Sequence, residues 1–193
     1  MDRNELIDAL AAALVERPRS SLGDLASAVG VSRTTLHRRF PTREDVLEAV
    51  ADSATGRFSD AYIAADLASA FETDETADAS TTRFIRLAEQ LIPLGAHVAV
   101  LLRSGLIDDA ADGPPVTVTT ELDAPLLDAV SRGQSRGVFR GDHPARWIAE
   151  SFLTLTYLGW EQVRAGVIAP ASAATIVFET WMKGNCDSRR NST

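Results

Sequence analysis

Within seven consecutive residues the chain carries Arg33, Thr34, Thr35, His37, Arg38 and Arg39, with Leu36 the only apolar position among them. An arginine fork can bond guanine O6 and N7 together, and a threonine can offer its methyl to thymine or its hydroxyl to a phosphate. One apolar side chain is enough to anchor a helix of about two turns. Three arginines and a histidine exceed that need, so the segment is suited to reading DNA. Ser21 stands at the start of a preceding helix, where a hydroxyl and backbone N–H groups can bond phosphate. Arg43 adds a further guanidinium fork. Most such contacts position a protein on a duplex, and only one or two specify bases.

The surrounding residues provide the elements that would hold these side chains. Leu22, Leu25, Ala26 and Val29 recur at helical spacing and end at Gly30, which suits the left-handed position closing a helix. Ser32 stands where an N-cap oxygen is wanted, and 33–39 fill about two turns. Helix, glycine-containing turn and short helix make a helix-turn-helix, whose second helix enters the major groove. A first helix is predicted over Arg3–Glu16, with Leu6, Ile7, Leu10 and Leu14 on one face. It must stop before Pro18, because the residue preceding proline avoids the helical region. A fourth begins near Thr42, with Asp45 completing an approximate capping box. Its stripe of Val46, Leu47, Val50, Ala54, Phe58 and Tyr62 runs on into the rest of the chain.

The formal net charge of −8 over 193 residues conceals an uneven distribution. Six arginines (17, 19, 33, 38, 39 and 43) against Asp24 give residues 17–43 a charge of +5, whereas residues 51–193 carry −7. A basic tip on an acidic body turns its tip to phosphate. The length suits one or two domains with a sizeable core. No apolar run approaches the roughly 18 residues of a membrane span, and the charged amphipathic N-terminus lacks a signal-peptide core. The expectation is a cytoplasmic protein without a membrane partner. The single cysteine, Cys186, cannot form an internal disulfide and reads as a tail thiol.

Helical periodicity continues through the body, and sustained strand alternation is absent. Residues 72–82 (ETDETADASTT) read as a solvated acidic loop, followed by a helix near Ala79–Ile92 and, after Pro93 and Gly95, another over Ala96–Leu106. Residues 108–115 (DDAADGPP) are a loop signal. A helix follows over Pro115–Arg136, then a turn over Gly137–Pro144 with Asp142 or His143 as the next cap. The helix Ala145–Arg164 is apolar nearly all round, so it is expected to be buried on two sides, one of them against a partner. The last helix, Pro170–Lys183, starts with an allowed first-turn proline. Trp147, Phe152, Leu155, Ile176, Val177 and Trp181 on these two helices are the candidate dimer contacts. A larger single core is the monomeric alternative.

The order Leu25-Ala26, Ala28-Val29-Gly30-Val31-Ser32, Leu36-His37-Arg38-Arg39-Phe40, Thr42-Arg43-Glu44-Asp45-Val46-Leu47 resembles the DNA-binding domain of TetR-type transcriptional regulators. That pattern fixes helix lengths, turn and anchor together. GVFRGDHPARW is also similar to the start of an eighth helix in many such proteins. The resemblance implies an all-α homodimer of about nine helices per subunit. Residues 1–48 would form the helix-turn-helix domain, 49–184 the ligand-binding and dimerisation body, and 185–193 a flexible tail. It puts Thr35 and His37 at the DNA, His37 in place of a tyrosine, and Arg43 in place of a phosphate-contacting lysine. A glycine usual after the first helix is missing from Glu16-Arg17-Pro18-Arg19.

No catalytic motif accompanies this. The chain has no G-x-S-x-G, P-loop, dinucleotide turn, H-E-x-x-H or Cys/His metal spacing, so no enzyme activity, metal or cofactor is expected. His37, His97 and His143 are far apart, and His97 precedes an apolar run that would draw it inward. The reading is a ligand-responsive regulator binding a double-stranded DNA operator as a homodimer, a repressor released by a small molecule. The rivals are a helical dimer that has lost specific DNA binding and a small all-α enzyme. Phe58, Tyr62, Phe84, His97, Arg103, Leu122, Phe152 and Tyr157 are the candidate pocket residues for a small-molecule effector.

Overall fold

The computed structural model describes residues 1–72, 76–104 and 122–186. Among them are nine α-helices and no strand: α1 (Arg3–Glu16), α2 (Leu22–Ala28), α3 (Arg33–Arg39), α4 (Arg43–Ala65), α5 (Ala77–Leu91), α6 (Gly95–Ser104), α7 (Ala124–Ser135), α8 (Ala145–Arg164) and α9 (Pro170–Asn185). The bounds of α1, α3 and α8 are those predicted. The loop expected over 108–115, the helix start over 115–121 and residues 187–193 of the expected tail lie outside the described residues, while Asn185 of that tail is buried as the last residue of α9 and Cys186 follows it as the cap. The described residues form two compact units, 1–57 with 94–104, and 58–93 with 122–186.

In the first unit, α1 opens on a capping box. Asp2 Oδ1 accepts from the Glu5 N–H at 2.8 Å, and Glu5 Oε2 accepts from the Asp2 N–H at 2.7 Å. Leu6, Leu10, Leu25, Leu36, Val46 and Val50 are fully buried and form the core. Arg103, on α6, donates to the Val15 carbonyl at the end of α1, 3.0 Å away. That bond satisfies one of the acceptors a helix C-terminus leaves open.

The second unit is built around aromatic rings. Phe84 lies 4.9 Å from Trp181, 5.8 Å from Phe139 and 5.8 Å from Phe152, centroid to centroid. The edge-on contacts among them match the ring quadrupoles. Trp181 Nε1 donates to the Ile148 carbonyl at 2.9 Å, so its one polar atom is satisfied inside the core. Phe71 completes the cluster from a turn, with φ at 59°, in the left-handed region that bulky residues avoid. Its N–H donates to Ser80 Oγ at 2.8 Å, and Arg132 bonds the carbonyls of Leu67, Ala68 and Ala70. The turn is thus fixed from both sides. The backbone at Gly133 passes so close to Phe139 that a Cβ there would lie 2.5 Å from its ring.

Three expectations are refined. First, α8 buries one side within the chain, through Ile148, Ala149, Phe152, Thr156 and Gly159, while Trp147 and Leu158 on it are 60% and 48% exposed, which leaves uncovered the side expected against a partner. Second, Pro144 precedes α8 and neither Asp142 nor His143 caps it; Asp142 takes a two-pronged bond from Arg140 at 2.6 and 2.7 Å. That guanidinium brings the Asp142 carboxyl down to about 2. Third, the acidic break is shorter than expected, because Thr76 caps α5 through the Ala79 N–H and the helix begins at Ala77. The stretch Asp78–Arg103 is apolar and long enough to cross a membrane, but it is interrupted by a tight turn at Ile92–Leu94 and half of its most apolar part is buried in protein.

Candidate nucleic-acid interface

Gly30 adopts φ 73°, and the Val31 N–H returns to the Ala26 carbonyl at 3.0 Å, closing α2. Ser32 then caps α3, accepting from the Thr35 N–H at 3.0 Å. Leu36 is fully buried and Phe40 nearly so, which fixes the rotation of α3 about its axis. That rotation leaves Arg33, Thr34, His37, Arg38 and Arg39 exposed and Thr35 half-buried. His37, Arg38 and Arg39 stand in the last turn, where positive charge suits the helix dipole.

Two hydroxyls have partners that sequence spacing did not reveal. Thr35 Oγ1 lies 2.8 Å from Ser32 Oγ, so its methyl is the part left for a base. Ser21 Oγ donates to Asp24 Oδ2 at 2.7 Å and accepts from the Asp24 N–H at 3.2 Å. Ser21 is therefore first a cap for α2. Bonds from the Ser21 hydroxyl and N–H hold the Asp24 carboxyl below its ordinary value, and Thr42 does the same for Asp45 at the start of α4. Arg43, the first residue of α4, donates through Nη2 to the Pro18 carbonyl at 2.6 Å. This bond ties α4 to the turn between α1 and α2, where the expected glycine is missing.

Residues 6–50, which take in this whole arrangement, match the family model for bacterial regulatory proteins of the tetR family. Over 187 residues the chain is 33% identical to the HTH-type transcriptional regulator NfxB of Pseudomonas aeruginosa, covering 96% of this chain and 95% of that one. The chain belongs to the tetR family. It is also 28% identical over 167 residues to the HTH-type transcriptional repressor LfrR of Mycolicibacterium smegmatis, covering 86% of this chain and 80% of LfrR. The solved LfrR complex with proflavine superposes with a TM-score of 0.64 over 94% of each chain at 24% identity, which shows the shared fold. The protein is thus a DNA-binding transcriptional regulator and not an enzyme.

In this tetR-family chain the candidate pocket residues are dispersed. His97 and Arg103 belong to the first unit, and Phe58, Tyr62, Phe84, Leu122, Phe152 and Tyr157 to the second. Phe84 and Phe152 are fully buried in the aromatic core, where their rings pack against each other. Arg103 is occupied by the Val15 carbonyl. Tyr157 donates to Glu161 at 3.1 Å and lies beside Trp160. Tyr62 donates from its hydroxyl to Asp123 Oδ1, and both residues are buried. Burial, and then the Asp123 charge, raise the Tyr62 hydroxyl far above the ordinary tyrosine value. Sequence reasoning missed Asp123 because it fell inside the helix expected over Pro115–Arg136; in the structure it precedes α7, and its side chain makes no capping bond. The interface set divides similarly. Phe152, Val177 and Trp181 are buried within their own subunit and cannot meet a partner, whereas Trp147 and Ile176 are exposed and Leu155 half-buried.

His97 is 2% exposed, and neither ring nitrogen makes a hydrogen bond. Its Nε2 lies 3.2 Å from Asp8 Oδ1 on α1, and that oxygen also takes the Arg57 guanidinium from α4. Burial lowers the imidazole below its ordinary value, more than the nearby Asp8 charge raises it. The unfolded chain therefore binds this proton more readily than the folded one, and stability falls as pH drops below the ordinary histidine value of about 6.5. The expected loss is up to about 1.4 kcal/mol per pH unit until the folded imidazole itself titrates. Thermal melts from pH 8 to 5 should show this decline, and His97→Gln should flatten it. Parallel profiles for the two proteins would remove His97 from that role.

Proposed function

We propose that this regulator is a homodimeric repressor that acts in the cytoplasm, reads operator DNA through α3 and is released by a small aromatic cation. The exposed row Arg33, Thr34, His37, Arg38 and Arg39 over a single buried anchor supports the DNA reading. In this account residues 1–48 bind DNA and 49–184 bind ligand and dimerise. Arg33, Arg38, Arg39 and the remaining N–H groups of Arg43 meet phosphates or guanines, Ser21 sets the start of α2 against a phosphate through its cap, and Thr34, Thr35 and His37 face bases. The exposed apolar side chains Trp147, Leu158 and Ile176 on α8 and α9 meet the second subunit.

The ligand class rests on two observations. LfrR was solved with proflavine, a planar aminoacridine. Here the buried Asp123 carboxylate lies against an aromatic residue, Tyr62, and a cation displacing the tyrosine hydroxyl would be both paired and stacked. Because α4 carries Tyr62 near one end and Arg43 at the other, a ligand there bears on the helix that holds the DNA-binding turn. A differential affinity of about 1–3 kcal/mol lowers operator occupancy about 5–150-fold.

The test begins by selecting bound sites from genomic fragments. His37→Ala should then change the preferred sequence, and Arg43→Ala should weaken selected and random duplexes alike. No enriched sequence would reject specific recognition, and a change of preference from Arg43→Ala alone would reverse the assigned roles.

A further inference from the structure

We propose that the turn between α1 and α2 is a second set of phosphate contacts, made by Arg17 and Arg19, and that Arg43 positions it; the inference rests on the DNA-binding reading above. The turn is built to present these side chains. Pro18 forbids continuation of α1, and the Ser20 N–H closes back on the Arg17 carbonyl at 3.1 Å. Ser20 is buried and anchors the turn, while Arg17, Pro18 and Arg19 are exposed. The Arg43 bond to the Pro18 carbonyl, 2.6 Å, fixes the turn from the first residue of α4.

The surface there is concave. An open depression of about 510 Å³ is lined by Arg17, Pro18, Arg19, Ser20 and Asp24, beside the capped start of α2. Asp24 is the one acid in it, and its Oδ2 already accepts from the Ser21 N–H at 3.0 Å and the Ser21 hydroxyl at 2.7 Å. Arg33, the first residue of the reading helix, runs alongside: a Cβ on Gly23 would lie 3.9 Å from Arg33 Cδ and 3.7 Å from Ser21 Oγ. Three arginines from two elements therefore border the start of α2, in a chain whose net charge is −8. Among the described residues none of the three guanidinium groups has an ion-pair partner within 4.0 Å. A strand of the duplex lying against α3 and Ser21 would continue past Arg17 and Arg19, and the complementary charge makes the DNA backbone the occupant.

The salt dependence of binding counts such contacts, because each neutralised phosphate adds about 0.9 to the slope of log K against log salt. The probe is a random-sequence duplex of about 30 base pairs, so no operator need be known. Arg17→Gln with Arg19→Gln should reduce the slope by about 1–2 for each bound subunit, hence about 2–4 for a dimer, and Arg17→Lys with Arg19→Lys should retain it. Arg43→Ala should cost more slope in the wild-type background than in the Gln double variant, because in the latter there are no turn contacts left to misplace. An unchanged slope for the Gln double variant, alongside a reduced slope for Arg33→Gln, would overturn the inference and leave the DNA-binding reading intact. Equal costs of Arg43→Ala in both backgrounds would overturn the positioning role. A wild-type protein with no salt-dependent affinity for duplex would overturn the reading and the inference together.

Discussion

Raising the salt from about 50 to about 200 mM should weaken operator binding by roughly 10³–10⁵-fold. A dimer that neutralises about 6–10 phosphates gives a drop of that size through counterion release. Arg33, Arg38, Arg39 and Arg43, taken twice, already fall within that range; the first three are exposed and Arg43 is half-buried, so binding need not first break core contacts. Fluorescence titrations of a labelled operator at four salt concentrations give the slope. A fall of less than tenfold would mean that α3 is not held against the backbone, and would favour the helical dimer that has lost specific DNA binding.

The second large effect is in the body. Trp181→Ala should destabilise the subunit by about 3–5 kcal/mol, the usual cost of removing a large aromatic side chain from a packed core. Trp181 is fully buried against Phe84, Phe139 and Phe152, and its indole N–H is bonded to the Ile148 carbonyl, so truncation leaves a cavity and removes a buried hydrogen bond. Trp147→Glu should behave in the opposite way. It should split the proposed dimer in sedimentation and change the melting of the subunit little, because Trp147 is 60% exposed. If Trp181→Ala dissociated the dimer without lowering stability, the division of α8 and α9 into an inner and an outer face would be wrong.

How much of this was legible in the sequence depended on whether the signal was local. Helix bounds at α1 and α3 follow from Asp2, Pro18, Ser32 and Phe40, each acting within one turn, and the reading helix was placed to the residue. The face of α8 was not legible. Its apolar residues surround the helix, and only the positions of Phe71, Phe84, Phe139 and Trp181 decide which side is inside. Phe71 itself lies in a turn that composition marks as unremarkable, and it is held there by Ser80 and Arg132 from two other helices. The polar pairs were hidden for the same reason. Asp8 with Arg57, and Tyr62 with Asp123, join residues far apart in sequence, and a periodicity argument places each on its own helix without showing its partner. The hydroxyl of Thr35 was assigned by type, and its bond to Ser32 was three residues away but outside the capping pattern considered.

The aromatic core also bears on how the protein is made. A chain grows from its N-terminus, and folding units close as their residues emerge. Leu6 to Val50 can gather early, whereas Phe84, Phe139 and Phe152 must wait for Trp181, which is synthesised after all of them. Until then these three phenylalanines stay without their tryptophan, and a transcript cut short before α9 yields a DNA-reading head attached to a body that cannot close. Such a fragment would present its sticky rings to chaperones and proteases, so disposal of incomplete copies is built into the order in which the core residues are encoded.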